Sequence, residues 1–575
     1  MSTSPLVGAA MPARRPVAAL TALALLGGAL AAVVTSVPAG AVTTDQTYWV
    51  PVDKQITVRG HGFGHGHGMS QYGAYGAARQ GLTYREILDF YYPGTTWGTV
   101  SGQVRVLISA DTSSDLVVSP AAGLTLRDLG SGTTYPVPTL DGVKRWRLNV
   151  ANGRTVVGYL TSRWHRWQPG GRSVLAGDGE FTARAPLTLW TPAGARTYRG
   201  ALRAASPTAG FADRDTVNVL SMDSYLKGVI PYEMPASWSA EAVRAQAVAA
   251  RTYASWSRAQ APNRYYQICD TTSCQVYGGV GGEDSRSNAA VEATARQILT
   301  YGGGPAFTQF SASSGGWTSA GSVPYLPAKA DPYDGHDANG VHDWSVTVDA
   351  GRLERTYPAI GTLERIRVTS RDGNGDWRGR VWSMVLDGSK ADRTISGDTF
   401  RWVYGLRSSW FTIDPTEIMA RYARLGGDRS VLGRVRTPEY AVPSGAAQSF
   451  DAGQIYWSRA AGARELYGPV LATYRSWKGP EGRLGLPVTG VQARAGGLRA
   501  RFHGGDVYAR EATGGQALLG ALARRYRELG GPRTSGLGWP VRGTYPVARG
   551  ERADFETGRL TWIAATGQVK VRRTS

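Results

Sequence analysis

Residues 223–254 read DSYLKGVIPYEMPASWSAEAVRAQAVAARTYA, and this stretch decides how the middle of the chain folds. Its alanine-rich second half predicts a helix. Ser239 is a plausible N-cap, Glu241 falls in the favourable first turn, and the helical pattern runs to about Trp256. The sequence therefore predicts one long helix that directly follows a proline-containing segment.

Glu233 is the candidate chemical group of that segment. Pro235 disfavours the helical conformation at Met234, so we expect Glu233 on a bend and not inside a helix. A bend beside a helix start can present a side chain to a groove. A general acid needs a raised pKa, and Tyr232, Met234 and Trp238 could form the apolar wall that raises it. The alternative is a structural carboxylate that caps the helix or binds backbone amides, and the helix terminus would then lower its pKa.

Around this stretch the pattern favours an α+β fold with a mixed, largely antiparallel sheet and two prominent helices. A second helix is predicted from about 287 to 299, ending before the glycines at 302–304. Short strands separated by Gly, Asp or Pro are predicted at 103–108, 124–129, 145–150, 156–159, 181–189, 217–220, 365–370 and 381–386. The connections are too short for alternating βαβ units.

The ends of the chain carry signals of export and wall association. Arg14 and Arg15, an apolar run over 17–34 and the sequence AGA at 39–41 predict a signal peptide over residues 1–41, an uncleaved membrane anchor being the alternative. The net charge is +20. Because an exported chain rarely meets nucleic acid, we interpret this charge as affinity for anionic cell-wall polymers.

Three repeats occupy the C-terminal part of the chain, residues 416–575. Leu-Gly pairs at 432, 484 and 537 are each followed by Phe, with 17 residues from Gly to Phe in every unit. An alternating apolar stretch after each Phe predicts a hairpin. From Thr416 onward there are 25 Arg and Lys against 12 Asp and Glu, so this region holds most of the positive excess. The pattern resembles LGFP repeats, which implies a β-rich wall-binding module.

The central motifs resemble the SpoIID/LytB family. Besides the stretch quoted above, they are CQVYGG from Cys274, SASSGGWT from Ser311 and SGDTFRWVYGLRSSWF from Ser396, together covering about residues 102–413. The resemblance implies a lytic transglycosylase acting on peptidoglycan glycan strands, with Glu233 as catalytic acid and base. Such an enzyme works with one carboxylate because the C6 hydroxyl of the sugar attacks the anomeric carbon, leaving a 1,6-anhydro end.

The resemblance and the chemistry together indicate candidate substrate-binding residues. Gln246 and Arg251 lie five residues apart on the first helix, roughly 140° around its axis, so one of them could be purely structural. Tyr277 belongs to the CQVYGG motif. Ser313 and Ser314 precede two glycines in a tight polar turn, where the backbone could approach a sugar, although a plain loop is an equal alternative.

The segment RGHGFGHGHGMSQYGA at 59–74 has two interpretations. Histidines at 61, 65 and 67 could share one face of an extended chain and bind a metal. Alternatively, it resembles a SpoIID/LytB motif with a single histidine, matching His65. That motif closes the domain in the family but opens the mature chain here, which predicts a circular permutation. His65, Ser70 and Gln71 would then fold back beside Glu233.

The two cysteines, Cys269 and Cys274, also have two interpretations. Some relatives hold zinc at this place with two cysteines and nearby histidines, whereas an oxidising compartment favours a short-loop disulfide. No histidine lies between residues 265 and 282, which favours the disulfide. We therefore expect no cofactor, with a structural zinc ion as the alternative.

The predicted organisation is a signal peptide (1–41), an N-terminal motif segment (42–101) packing onto a catalytic domain (102–415), and three repeats (416–575). The expected protein is secreted and wall-associated, a lytic transglycosylase that binds glycan strands. One competing hypothesis is a non-catalytic wall protein that enhances or localises an N-acetylmuramoyl-L-alanine amidase. Another is a metal-dependent hydrolase built on the histidine-rich segment.

Overall fold

The computed structural model describes residues 41–208, 213–494 and 496–574. Nearly all of the predicted signal peptide lies outside these residues. No helix in the described ranges is both long enough and apolar enough to cross a membrane. The fold is strand-rich and mixed, and most of its strand pairs are antiparallel, consistent with the predicted α+β class.

In the described residues before the repeats, the strands form six sheets. Two parallel pairs interrupt the antiparallel pattern: Ile268–Cys269 beside Gln103–Leu107, and Phe310–Ser311 beside Met69–Ser70. The seven-stranded sheet has the spatial order Ile268–Cys269, Gln103–Leu107, Asp215–Ser221, Ala201–Ala205, Gly179–Thr182, Thr125–Asp128 and Thr134–Pro136, and the six-stranded sheet has the order Trp164–Trp167, Arg154–Leu160, Arg145–Ala151, Leu116–Val118, Leu187–Thr191 and Gly194–Tyr198. The four-stranded sheet has the order Val42–Trp49, Leu363–Arg371, Val381–Gly388 and Asp392–Ser396. The three small sheets are Gly304–Pro305, Gln297–Tyr301 and Thr96–Thr99; Asp343–Asp349, Gln55–His61 and Phe411–Ile413; and Phe310–Ser311 with Met69–Ser70.

The predicted first helix is the longest helix of the described chain, Ala240–Gln260, called the long helix below. Ser239 occupies its N-cap position but makes no side-chain capping bond, and the helix continues one turn past Trp256. Its alanines belong to the largest apolar core. The other α-helices before the repeats are Gln71–Arg79, Tyr84–Tyr91, Met222–Lys227, Ile230–Glu233, Ser285–Ala293, Gly351–Thr356 and Gly397–Tyr404.

Two sequence predictions of secondary structure are wrong. The second helix covers only Ser285–Ala293, and Gln297–Tyr301 is a strand paired with Thr96–Thr99. Arg296 between them has φ +64°, which a helix does not allow. The strand expected over 181–189 is two strands in different sheets, because the chain crosses between sheets around Pro186, which cannot donate to a ladder.

The N-terminal segment pairs with strands that are distant in sequence. Val42–Trp49 lies antiparallel to Leu363–Arg371, and Gln55–His61 lies between Asp343–Asp349 and Phe411–Ile413. Met69–Ser70 then pairs with Phe310–Ser311. Sheet pairing therefore places the N-terminal segment beside strands that come more than 200 residues later in the sequence.

The repeat region contains three four-stranded antiparallel sheets. Each unit has a helix whose tyrosine hydroxyl donates to the carbonyl of the Leu-Gly glycine: Tyr422 to Gly433, Tyr474 to Gly485, and Tyr526 to Gly538. Those glycines have φ between +64° and +70°. The sheets are Tyr440–Val442, Gly445–Ser449, Gly453–Ser458, Gly462–Tyr467; Gln492–Arg494, Gly497–Arg501, Gly505–Arg510, Gly514–Leu519; and Pro540–Val547, Gly550–Phe555, Gly558–Ile563, Val569–Arg573, with helices Glu417–Arg424, Gly468–Ser476, Gly520–Glu528 and Gly531–Thr534.

Candidate functional site

Glu233 is the last residue of the one-turn helix Ile230–Glu233. Met234 after it is extended, with φ −139° and ψ 135°, as the following Pro235 requires. The bend predicted from the sequence is present but begins one residue later than expected, since Glu233 itself is still helical. The carboxyl group is thus held between the end of one helix and the approach to the long helix.

Glu233 lines a cavity of about 520 Å³, called the acid cavity below. The cavity brings together five separate stretches of the chain: the N-terminal motif, the Glu233 bend, the long helix, the loop around 272–276 and the loop around 309–312. Its lining residues are Phe63, Gly64, His65, Glu233, Tyr253, Thr272, Ser273, Cys274, Val276, Gln309, Phe310, Ser311 and Ala312.

The apolar wall of the acid cavity is not the one predicted. Met234 is buried in the core at 1% exposure, Tyr232 is 52% exposed, and Trp238 stacks on Tyr75 with ring centroids 4.5 Å apart. None of the three predicted residues lines the cavity. Tyr253, Val276 and Phe310 supply the apolar surface instead, because the chain turns away from Glu233 immediately after it.

Burial raises the pKa of Glu233 to about 7, even though the backbone N–H of Val276 and the side-chain amide of Gln71 donate to the carboxyl group and oppose the rise. A carboxylic acid with this pKa is about half protonated at neutral pH. It can therefore give up a proton and take one back under the same conditions, which is what combined acid and base catalysis requires.

Gln71 reaches Glu233 from the first turn of helix Gln71–Arg79. Its side-chain amide also donates to Oε1 of Gln246 on the long helix, at 3.4 Å. Gln246 is fully buried, and its Nε2 has no hydrogen-bond partner among the described residues. Gln246 therefore lies behind Gln71, and its carbonyl oxygen orients the amide that meets Glu233.

His65 lies on the wall of the acid cavity. Burial, helped by neighbouring His67, Arg380 and Arg401, lowers its pKa to about 3, so the ring is neutral at any working pH. Its Nδ1 accepts a hydrogen bond from the backbone N–H of His67 at 2.9 Å, which leaves the proton of the neutral ring on Nε2. His65 thus offers a fixed polar group and not a titrating one.

Ser70, Ser313 and Ser314 do not point into the acid cavity. All three are at most 1% exposed. Ser70 donates to Asp334 at 2.5 Å, and Ser313 donates to the same carboxyl group at 2.7 Å. Ser314 donates to Asp331 at 2.8 Å. The three serines therefore form a buried hydrogen-bond network that connects the N-terminal motif to the 313–316 turn.

Arg251 lies away from the acid cavity, in the packing of the long helix. It is fully buried, its Nε donates to Asp223 at 2.9 Å, and its other nitrogens donate to the carbonyls of Val291 and Gln297. All of these partners are structural. Of the two helix residues nominated from the sequence, Gln246 approaches the cavity and Arg251 does not.

Tyr277 lines a second cavity, of about 590 Å³, which shares Val276 with the acid cavity. Its ring is nearly buried, and its hydroxyl donates to Asn218 at 2.8 Å. Tyr232 lines the same second cavity. Because Val276 lines both cavities, the second cavity adjoins the one that contains Glu233.

Cys269 and Cys274 are joined by a disulfide. Their thiolates are therefore not free to hold zinc. Cys274 and the preceding residues Thr272 and Ser273 line the acid cavity, and Val276, whose N–H meets Glu233, follows two residues later. The disulfide thus closes the loop that forms one edge of the cavity.

The three motif histidines do not converge. Nδ1 of His61 donates to the carboxylate of Asp343 at 2.6 Å and its ring stacks on Trp377, whereas His65 stacks on His67 with centroids 5.0 Å apart. Within the described ranges, no group of three or more His, Cys, Asp or Glu side chains is placed to hold a metal ion.

Sequence reasoning missed the acids that organise the site. Asp334 is fully buried, and its carboxylate also accepts from His342 at 2.8 Å. Burial alone would raise its pKa, but hydrogen bonds from His342, Ser70 and Ser313 outweigh that effect and lower it. Burial and the nearby Asp334 raise the pKa of Asp331 to about 6. Nothing in the stretch ADPYD at 330–334 distinguishes these acids from ordinary loop residues.

The comparison with known proteins identifies two kinds of module. Residues 212–301 match the family described as SpoIID, Stage II sporulation protein. Residues 432–482 and 484–533 each match the LGFP repeat. These ranges of the chain therefore match a SpoIID domain and LGFP repeats, as the motifs predict. The sequence predicts three repeats, and the described residues contain three similar four-stranded sheets. The LGFP family model matches the first two of these units.

Part of the chain is also similar to individual known proteins. The chain is 43% identical over 135 residues to the Amidase enhancer of Bacillus subtilis (strain 168), covering 22% of this chain and 17% of that protein. It is 32% identical over 219 residues to Stage II sporulation protein D of Bacillus amyloliquefaciens, covering 34% and 61% respectively. The chain thus spans less than two thirds of each relative's length.

Proposed function

We propose that this protein is an exported lytic transglycosylase that cleaves the glycan strands of peptidoglycan. The observation that carries the proposal is the carboxyl group of Glu233, which lines a sugar-sized cavity and has a pKa of about 7. The SpoIID domain and the LGFP repeats support a cell-wall role for the chain. No cofactor enters the proposal.

The proposed reaction needs only one titrating group. Protonated Glu233 donates its proton to the glycosidic oxygen as the bond from that oxygen to C1 breaks. The resulting carboxylate accepts the proton of the C6 hydroxyl as O6 forms a bond to C1, which gives a 1,6-anhydro end and restores the acid. No water is consumed, so no second carboxylate is needed to activate one.

The other residues support this acid in different ways. Gln71 and the N–H of Val276 hold the carboxyl group, and Gln246 orients Gln71. Neutral His65 lines the cavity wall, where the backbone N–H of His67 donates to its Nδ1 and its ring N–H donates to the backbone of Phe310, so it fixes the shape of the wall beside Glu233. Tyr277 belongs to the second cavity, where further sugar units of the strand would lie. Ser70, Ser313 and Ser314 position the motif and do not contact substrate.

A second candidate function rests on the relative named Amidase enhancer. In that case the cavity would bind glycan without cutting it and would localise or stimulate a wall amidase. In either case the LGFP repeats would hold the protein on anionic wall polymers, with which the positive charge of the repeat region is compatible.

Mass spectrometry of the products from purified glycan strands tests the proposal. The full chain should release anhydro-muropeptides, and Glu233→Gln should lower the rate by at least about 10³-fold, in the range that loss of a general acid costs. Glu292→Gln removes an equally charged side chain that is 65% exposed and outside the cavity, so it should leave the rate unchanged.

The result also separates the two functions. Unchanged release of anhydro products by Glu233→Gln would reject Glu233 as the acid. If neither the wild type nor the variant cuts glycan but both accelerate an added amidase, the enhancer function is correct and the enzymatic one is wrong.

A further inference from the structure

Four arginines line a cavity between the second and third repeats. It has a volume of about 410 Å³, and Arg494, Arg499, Arg527 and Arg533 contribute to its wall. No acidic residue of the described chain is among its lining residues. It is called the arginine cavity below.

Two of the four guanidinium groups are held in place by hydrogen bonds to one buried carboxylate. Arg499 donates to Asp506 at 3.1 Å, and Arg527 donates to the same carboxylate oxygen at 2.9 Å. Asp506 is fully buried. One buried negative charge therefore orients two positive groups without neutralising both, and Nε of Arg499 still has no partner among the described residues.

The other two arginines lie at the rim and have no carboxylate partner in the described chain. Arg494 donates only to the neighbouring side chain of Gln492 and to the carbonyl of Ala493. Arg533 forms no hydrogen bond or ion pair with any described residue and is exposed. With Asp506 counted, the cavity keeps an excess of three formal positive charges, which a soluble surface normally disperses.

The junction between the first and second repeats provides an internal comparison. Counting back 52 residues, as the repeat spacing requires, Arg499 corresponds to Ala447, Arg533 to Glu481 and Arg527 to Arg475. Arg475 there donates to the neutral Gln454 at 3.2 Å. The unit therefore folds without the arginine cluster. The buried Asp506 accounts for Arg499 and Arg527, whereas no carboxylate of the described chain accounts for Arg494 and Arg533.

We infer that the arginine cavity binds a phosphodiester group of an anionic wall polymer. Guanidinium groups present paired N–H donors whose geometry matches phosphate oxygens. A cavity of about 410 Å³ also has room for the polyol or sugar beside the phosphate. The identity of the polymer rests on the proposed wall association, whereas the anion site itself rests on the four arginines.

Isothermal titration calorimetry with short poly(glycerol phosphate) tests this site. The full chain carrying Glu233→Gln is used, so that binding does not depend on glycan cleavage. We expect Arg494→Gln/Arg533→Gln to weaken binding at least tenfold. The control Arg524→Gln/Arg572→Gln removes the same charge from two exposed arginines outside the cavity and should change affinity less than threefold. Arg533→Glu, which copies the residue type at position 481, should weaken binding at least as much as Arg533→Gln.

Three outcomes would overturn the inference. An equal loss in both double variants would mean bulk charge attraction and no defined site. Equal affinity for polygalacturonate of matched charge would reject phosphate as the recognised group. Tighter binding of an oligonucleotide than of the polyol phosphate would replace the wall polymer by a nucleic acid. If binding behaves as expected but the wild-type chain, assayed separately, does not cleave glycan, the arginine cavity stands and the proposed catalysis fails.

Discussion

The hydroxyl of Ser70 donates to the buried carboxylate of Asp334 at 2.5 Å. The same hydroxyl oxygen accepts from the backbone N–H of Gly73 and so caps helix Gln71–Arg79. A single serine thus connects the loop containing Asp334 to the helix turn that carries Gln71 to Glu233. Its substitution should therefore affect both the stability of the fold and the acid cavity.

Ser70→Ala is expected to lower the free energy of unfolding by about 1–2 kcal/mol, since it removes an N-cap and one hydrogen bond to a buried carboxylate. Thr83→Ala is a matched control, because Thr83 caps the next helix in an exposed capping box away from the cavity. Both variants should lose stability in chemical denaturation. Only Ser70→Ala should also slow glycan cleavage at temperatures where both are folded. An equal effect of the two on activity would contradict a positioning role for Ser70.

Gln71→Leu tests the hydrogen bond that restrains the pKa of Glu233. The amide of Gln71 lowers that pKa, so its removal should raise the pKa above about 7. The pH profile of glycan cleavage should then move to higher pH, because the acid form persists further into the alkaline range. Gln80→Leu changes an exposed glutamine just after the same helix and should leave the profile in place. An unmoved profile in Gln71→Leu would show that the amide does not act on the acid.

Glu233→Gln is expected to stabilise the fold at alkaline pH. Because the pKa of Glu233 rises from 4.5 to about 7 on folding, the folded chain binds this proton more tightly than the unfolded chain. The resulting stability is complete below pH 4.5 and is lost as pH rises through about 7. The variant cannot ionise, so at pH 8 it should exceed the wild type by up to about 3 kcal/mol.

Thermal unfolding at pH 4 and pH 8 measures this difference. Wild type and Glu233→Gln should unfold at similar temperatures at pH 4, with the variant higher at pH 8. Glu292→Gln removes a charge from an exposed side chain and controls for the change in net charge. A wild type that is the more stable protein at pH 8 would show that the Glu233 carboxylate is well solvated or well paired.

The sequence predicts which residues meet at the acid cavity more accurately than it predicts the role of each residue there. The motif segment and the Glu233 bend were expected to come together, and His65, Gln71 and Glu233 do lie in or beside one cavity. Whether a circular permutation produced this order remains a prediction. Ser70 and Arg251 could not be assigned from the sequence, because their partners Asp334 and Asp223 are brought to them only by tertiary folding.

The errors in secondary structure have a similar origin. Residues 297–301 look helical in a window that includes the preceding alanines, but their backbone pairs with Thr96–Thr99, far away in sequence. The wall predicted around Glu233 failed because sequence neighbours diverge at a bend, and Tyr253 and Phe310 arrive from other elements. The repeats were easier to predict, since each signature Gly and Phe contacts the helix tyrosine of its own unit.

The disulfide between Cys269 and Cys274 should matter to the site more than to the fold as a whole. Closing so short a loop contributes only about 2 kcal/mol in the chain-entropy account. Cys274 lines the acid cavity, however, and the N–H of Val276 donates to Glu233. In Cys269→Ser/Cys274→Ser we therefore expect a loss of about 2 kcal/mol and slower cleavage, with the pH profile displaced upward as the Val276 hydrogen bond loosens. Dithiothreitol should produce the same changes in the wild type and none in the variant, and full activity of the reduced protein would show that the loop keeps its position without the disulfide.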